Sequence, residues 1–278
     1  MPNCASYPGC TFCGSQLPEF DAPIMGGCKN CEFIASLSSV AWATNRLNPN
    51  PPMVGDQYQI TFFRPNAIYA VNRELWLDTT KNPPGFLYAR SSNPVEIWPG
   101  IYEKAYAKRL NQNQPVCDMS DVEWGVNEST ILGELTGCFP QYFGAVNYNQ
   151  IAGYTYQKKT VRPMVVWTRD NIGVPTGTDQ MIPNHTYTVL GVDTIGGQNY
   201  VVLRNPLGQT LQAAGPNVIT AGTWGGVNNS LYNCANPSRN VPIIPRPPTN
   251  IPYGNGIFAI RSAILPQYFT GMAFAGFR

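Results

Sequence analysis

The chain carries one histidine, His185, and eight cysteines, so chemistry that pairs an imidazole base with a thiol has a single base to draw on. Five cysteines fall within the first 31 residues. The last of these, Cys31, heads Cys31-Glu-Phe-Ile-Ala-Ser-Leu-Ser-Ser-Val-Ala-Trp-Ala43, a segment apolar enough for a buried helix. A thiol at a helix N-terminus feels the positive end of the dipole, which lowers its pKa and makes it a nucleophile. Together the two groups suit acyl transfer: the thiolate attacks a carbonyl and the imidazole carries the proton. A second pattern competes for the same residue. Cys10-Thr-Phe-Cys13 and Cys28-Lys-Asn-Cys31 are two C-x-x-C pairs 14 residues apart, close to the spacing of a four-thiolate zinc site. Disulfides or free thiols in a Gly/Pro-rich arm are the plainer reading, and the state of Cys4, Cys10, Cys13 and Cys28 stays open. A closed zinc site and an attacking thiolate exclude each other at Cys31.

The elements around His185 are β-strands by composition. Pro183-Asn-His-Thr-Tyr-Thr-Val-Leu-Gly-Val-Asp193 is followed by Asn199-Tyr-Val-Val-Leu-Arg-Asn205, which Pro206 stops. A three-residue loop, Thr194-Ile195-Gly196, would place Gly196 at the left-handed position and pair Asp193 with Gly197. Counting outward sets Val189 opposite Val201, Tyr187 opposite Leu203 and His185 opposite Asn205. Cross-strand partners share a face, so Asn205 is expected to orient the His185 ring.

Four stretches now resemble the protease core of the calpains, cysteine peptidases with a papain-like arrangement. Asn30-Cys-Glu-Phe-Ile-Ala-Ser-Leu-Ser-Ser-Val-Ala resembles the nucleophile helix, and Glu96-Ile-Trp-Pro-Gly-Ile-Tyr-Glu-Lys-Ala-Tyr-Ala-Lys108 is similar to a helix of the first subdomain. Asn184-His-Thr-Tyr-Thr-Val with Arg204-Asn-Pro-Leu-Gly208 looks like the His and Asn strands, and Gly256-Ile-Phe-Ala-Ile like closing strands. The resemblance covers about residues 20 to 278. It implies an α+β fold of two lobes, the first mainly helical and the second β-rich, with the cleft between them. It also implies a Cys31–His185–Asn205 triad and a thioester acyl-enzyme. Three positions depart from the family pattern. The Gln six residues before the nucleophile is Met25, the Trp after Asn-Pro is Leu207, and the residue after the nucleophile, usually Trp, is Glu32. The oxyanion hole is therefore expected to use the Cys31 backbone N–H and a side chain between residues 16 and 30, Asn30 or Gln16, with Lys29 also near in sequence. Calpain-type calcium ligands do not carry over position by position, although Asp21 and Glu134 fall near such sites. No cofactor is required by this reading.

The organisation expected is an arm (1–20), a first subdomain (21–137) and a second (138–278). In the first, Glu74-Leu-Trp-Leu-Asp78 and Phe86-Leu-Tyr-Ala-Arg90 form a strand pair across a Pro-Pro-Gly turn, and the 96–108 helix packs with a solvated outer face. In the second, the stretch from Pro242 to Pro252 holds five prolines and reads as a surface loop.

Composition narrows the partners. With 18 Lys and Arg against 16 Asp and Glu, the net charge is +2, and no field draws nucleic acid or an anionic membrane. No apolar run reaches the length of a membrane span, and no signal peptide is visible. The cytoplasm is the default compartment, with secretion the alternative that the low charge content suggests. The partner expected is a peptide or protein substrate, bound by a monomer. The rivals to an endopeptidase are a non-catalytic peptide-binding homologue, a zinc-stapled module, and a thiol acyltransferase or transglutaminase using the same thiol and base.

Overall fold

The computed structural model describes residues 3–5, 10–14, 17–78, 85–111, 119, 125–170, 181–209, 217–236 and 241–277. Cys4 is described in its backbone only, and Cys117 and Gln16 lie outside these residues. The architecture is α+β, with few helices and many strands.

The helix α1 (Cys31–Ala43) begins at the expected cysteine, and eleven of its thirteen residues are buried. Its two faces bury against different things. Phe33, Ile34, Leu37 and Val40 enter a core drawn almost wholly from residues before 139, where Phe33 stacks on Tyr106 at 4.5 Å. Ala35, Ser38, Ser39 and Trp42 follow the 3.6-residue repeat along the other face, and all four touch a large antiparallel sheet. Thr188 Oγ1 donates to the Ala35 carbonyl at 2.7 Å, and Ser39 Oγ to the Met164 carbonyl at 3.0 Å. Arg204 Nη1 donates to Ser38 Oγ at 2.9 Å, and Trp42 Nε1 to the Leu190 carbonyl at 2.6 Å. Small side chains let the helix approach closely, and the Ser38, Ser39 and Trp42 polar atoms each have a partner at the contact. Cys31 continues that same face by one turn.

The sheet runs Val218–Ile219, Ile257–Arg261, Gln198–Arg204, Thr186–Ile195, Met164–Thr168, Phe269–Gly276 and Phe139–Phe143, each strand bonded to the next. Two further cores, from residues after 145 plus Trp42, cover its faces. The hairpin that carries His185 and Asn205 differs from expectation. Its loop has two residues, Gly196 and Gly197, both at positive φ (57° and 75°), and Ile195 pairs with Gln198. Paired glycines suit a primed two-residue turn, whose twist matches the strands. A bulge between Val189 and Gly191 then sets Val189 opposite Leu203, so the expected pairing of Val189 with Val201 is wrong.

The described residues of 21–137 hold more β-structure than expected: besides α1, α2 (Trp98–Leu110) and α3 (Glu128–Thr136), seven short strands. One pair, Leu75–Asp78 with Gly85–Phe86, overlaps the pair the sequence indicated, but the expected second strand over 86–90 is not formed: Arg90–Ser91 pairs with Pro23–Ile24 instead. The solvated face expected of α2 is absent, for Trp98 through Ala107 are all buried, Glu103 and Lys104 included. The N-terminal arm is stitched into the same core. Phe12 is buried there, and Thr11 and Phe12 exchange backbone bonds with Val95, Ile97 and Trp98. The proline-rich stretch is not all loop either, since Thr249–Pro252 pairs with Thr223–Val227. Pro252 sits at the end of that edge pair, where a missing N–H is tolerated.

A disulfide joins Cys138 to Cys234. No spacing rule in a sequence pairs two cysteines 96 residues apart.

Candidate active site

His185 precedes the strand Thr186–Ile195 and is fixed by its backbone. Its N–H donates to Thr168 Oγ1 at 3.0 Å, and its carbonyl accepts from the Thr168 N–H at 3.0 Å. Asn205 follows the neighbouring strand, its N–H on the Gly256 carbonyl at 2.9 Å. A Cβ on Gly256 (φ +87°) would sit 2.9 Å from the Asn205 carbonyl oxygen, so only glycine lets this close approach stand.

The two side chains meet: His185 Nε2 lies 3.0 Å from Asn205 Oδ1. The same Oδ1 accepts from the Leu207 backbone N–H at 3.1 Å, while Nδ2 donates to the Gln209 carbonyl at 3.3 Å. A backbone N–H can only donate, so the atom it meets must be the amide oxygen. Nε2 therefore carries the hydrogen, and the neutral ring keeps Nδ1 as its base. No described residue bonds to that nitrogen. The expected contact is thus present through a different pairing: Asn205 reaches His185 from an Asx turn past the strand end, not from across the ladder. Leu207 does not leave the pair open to water, since His185 and Asn205 are 5% and 2% exposed and Tyr187 packs edge-on to the imidazole at 5.0 Å.

Cys31 shares a cavity of about 560 Å³ with His185, lined also by Met25, Lys29, Glu32, Gly125, Val126, Asn127, Glu128, Trp167, Asn184 and Thr186. No hydrogen bond joins Sγ to the imidazole. The thiol instead points to Glu32 Oε2 at 3.5 Å. Its pKa runs against the helix-dipole expectation. Burial, then the Glu32 charge, push it up to about 11, and hydrogen bonds with Thr186 only partly oppose them. Burial pushes Glu32 up to about 7, raises Glu128, and lowers His185 despite the Asn205 bond. The resting pair is a neutral thiol and a neutral imidazole.

The other expected residues divide. Asn30, a candidate oxyanion donor, is fully buried and does not line the cavity; its Nδ2 donates to Glu103 Oε1 at 2.7 Å. Gln16, the other candidate, lies outside the described residues. Met25 does line the cavity, and its N–H donates to the Pro206 carbonyl at 2.8 Å, tying the approach to Cys31 to the loop after Asn205. The two C-x-x-C pairs do not converge. Cys10 Sγ faces the Pro94 carbonyl and Cys28 Sγ the Met119 carbonyl, both at 3.8 Å, while Cys31 lies in the cavity. Among the described residues no group of three or more His, Cys, Asp or Glu could hold a metal ion. Glu134, near a calcium position by resemblance, is buried and paired with Arg109.

Three side chains that matter here were not singled out from the sequence. Thr186 follows the histidine and bonds both Cys31 and Glu128, the latter at 3.1 Å. Glu128, inside an Asn-Glu-Ser triplet, opens α3 beside the cavity. Glu103 accepts from Asn30 and, through Oε2, from the Ala89 N–H at 2.8 Å. It thereby holds the residue before Cys31 from inside α2. Only the adjacency of Thr186 to His185 was a legible signal.

Comparisons with known proteins give the family. The model of the calpain family cysteine protease matches residues 16–235. A thiol protease of Porphyromonas gingivalis is 24% identical over 234 residues, 74% of this chain and 47% of that protein. The chain thus spans about half the length of that relative. With most of its length matched, Cys31 through Asn205 included, the chain belongs to the calpain family of cysteine proteases.

Proposed function

We propose that the protein is a cysteine endopeptidase in which Cys31, His185 and Asn205 act together on a peptide carbonyl. The observation that carries this reading is the His185–Asn205 contact beside the Cys31 cavity, with Nδ1 left as the base. Because thiol and imidazole are both neutral at rest, proton transfer from Sγ to Nδ1 accompanies attack. His185 then returns the proton to the leaving amine, and water releases the acyl group from the thioester. The Cys31 N–H, at the first turn of α1 and without an intrahelical acceptor, is the first oxyanion donor. Of the side chains between 16 and 30, Lys29 lines the cavity and is the second. In this reading residues 21–137 supply the nucleophile wall and residues 138–278 the His/Asn wall of a two-lobed, papain-like cleft. The substrate is a peptide or protein, the enzyme acts as a monomer, and no cofactor enters a step.

The test is hydrolysis of an unfolded protein substrate. Cys31→Ala and His185→Ala should each abolish it with the fold intact by circular dichroism, and Asn205→Ala should be milder. Full hydrolysis by His185→Ala would refute the mechanism, because no other imidazole exists. A binding-only homologue is the second reading, favoured by Met25 in the cavity. Absence of any acyl-enzyme on peptide esters would support it.

A further inference from the structure

The cavity beside Cys31 is acidic in a way the proposed chemistry does not use. Glu32 and Glu128 both line it, and Glu32 feels the charge of Glu128. Neither forms an ion pair with a described Lys or Arg. Glu32 Oε2 accepts from the Cys31 thiol and Glu128 Oε1 from the Thr186 hydroxyl, and each carboxylate also accepts from its own backbone N–H. The one cation on the wall, Lys29, is exposed. Burying carboxylates without a counter-charge is costly, and these two respond by holding their protons more tightly than usual. A carboxylate against the nucleophile also opposes thiolate formation, so an arriving cation would relieve both penalties. Trp167 lines the same space and offers an aromatic surface to a guanidinium or to an aliphatic stem. Two carboxylates and a hydroxyl are too few donors for a divalent metal cage but match the fork of an arginine.

We propose that this cavity receives a cationic side chain, Arg or Lys, carried by the substrate next to the scissile bond, with Glu32 and Glu128 as the residues that select it. The proposal rests on the peptidase reading for the meaning of the cavity, and its test separates the two.

The experiment measures binding of matched fluorescent peptides, Arg against citrulline and Lys against norleucine, to the full chain carrying Cys31→Ala. The same pairs are then followed as substrates of the wild-type protein, with cut sites mapped by mass spectrometry. The Arg peptide should bind about tenfold or more tightly than its citrulline twin, the worth of one charge-assisted hydrogen bond. Adding Glu128→Gln should bring the ratio towards one, and Glu32→Gln provides the same reading if the first variant does not fold. Cut bonds should carry Arg or Lys within two residues. Equal binding of Arg and citrulline peptides, or a ratio unmoved by both variants, would overturn the proposal. A binding preference without hydrolysis by wild type would instead overturn the peptidase reading and leave the selection standing.

Discussion

At the scale of single residues, the feature that sets this site apart is the acid beside the nucleophile. Glu32 is held near pH 7, and above that its charge makes the Cys31 thiol harder to ionise. Glu32→Gln removes that charge while keeping the shape. Alkylation of Cys31 by iodoacetamide at pH 7.5 should then rise several-fold, since each unit of pKa is worth tenfold in thiolate and part is returned as weaker nucleophilicity. An unchanged rate would mean that burial alone sets the thiol. The sequence made both residues visible, because a sole histidine and a helix-head cysteine need no structure to be noticed. It could not give the sign of the thiol's pKa shift. That depends on depth of burial and on where the next side chain turns, and here both raise it.

At the scale of elements, α1 is held to the sheet by its Ala35/Ser38/Ser39/Trp42 face and to α2 by the Glu103 bridge. Glu103 is fully buried and pushed up to about 7. Between the unfolded value near 4.5 and about 7 the native state therefore binds the extra proton, and its contribution to stability declines as pH rises through that window. Urea unfolding should show the protein more stable at pH 5 than at pH 7.5, with part of the difference lost in Glu103→Gln. Glu103→Ala should cost about 2–4 kcal/mol, because the Asn30 amide and the Ala89 N–H both lose their acceptor. A stability that rises from pH 5 to 7.5 in wild type, unaltered in Glu103→Gln, would contradict this. Helix α1 is legible from its apolar run and begins at the residue the sequence indicates, whereas α2 follows only from the resemblance and α3 was not indicated. The hairpin register was not legible, because a Gly-Gly pair allows a two- or three-residue loop and a bulge leaves no mark in composition. The His–Asn contact survived that error because an Asx turn places Asn205 independently of the ladder.

At the scale of the whole molecule, the Cys138–Cys234 bridge links the end of α3 to a loop 96 residues later. No described helix is long and apolar enough to cross a membrane. Replacing both cysteines by alanine should lower stability by about 2–5 kcal/mol in urea. The alkylation rate of Cys31 should hold, since neither cysteine lines the cavity. Loss of Cys31 reactivity in that variant would show that the bridge positions the site.

Reaction with a peptidyl epoxide, mapped by mass spectrometry, separates Cys31 as nucleophile with His185 as its base from every other assignment. One adduct is expected, on Cys31, formed far faster than on Cys10 or Cys28 and suppressed in His185→Ala. An adduct that maps first to Cys28, or that forms on Cys31 equally fast without His185, would contradict it.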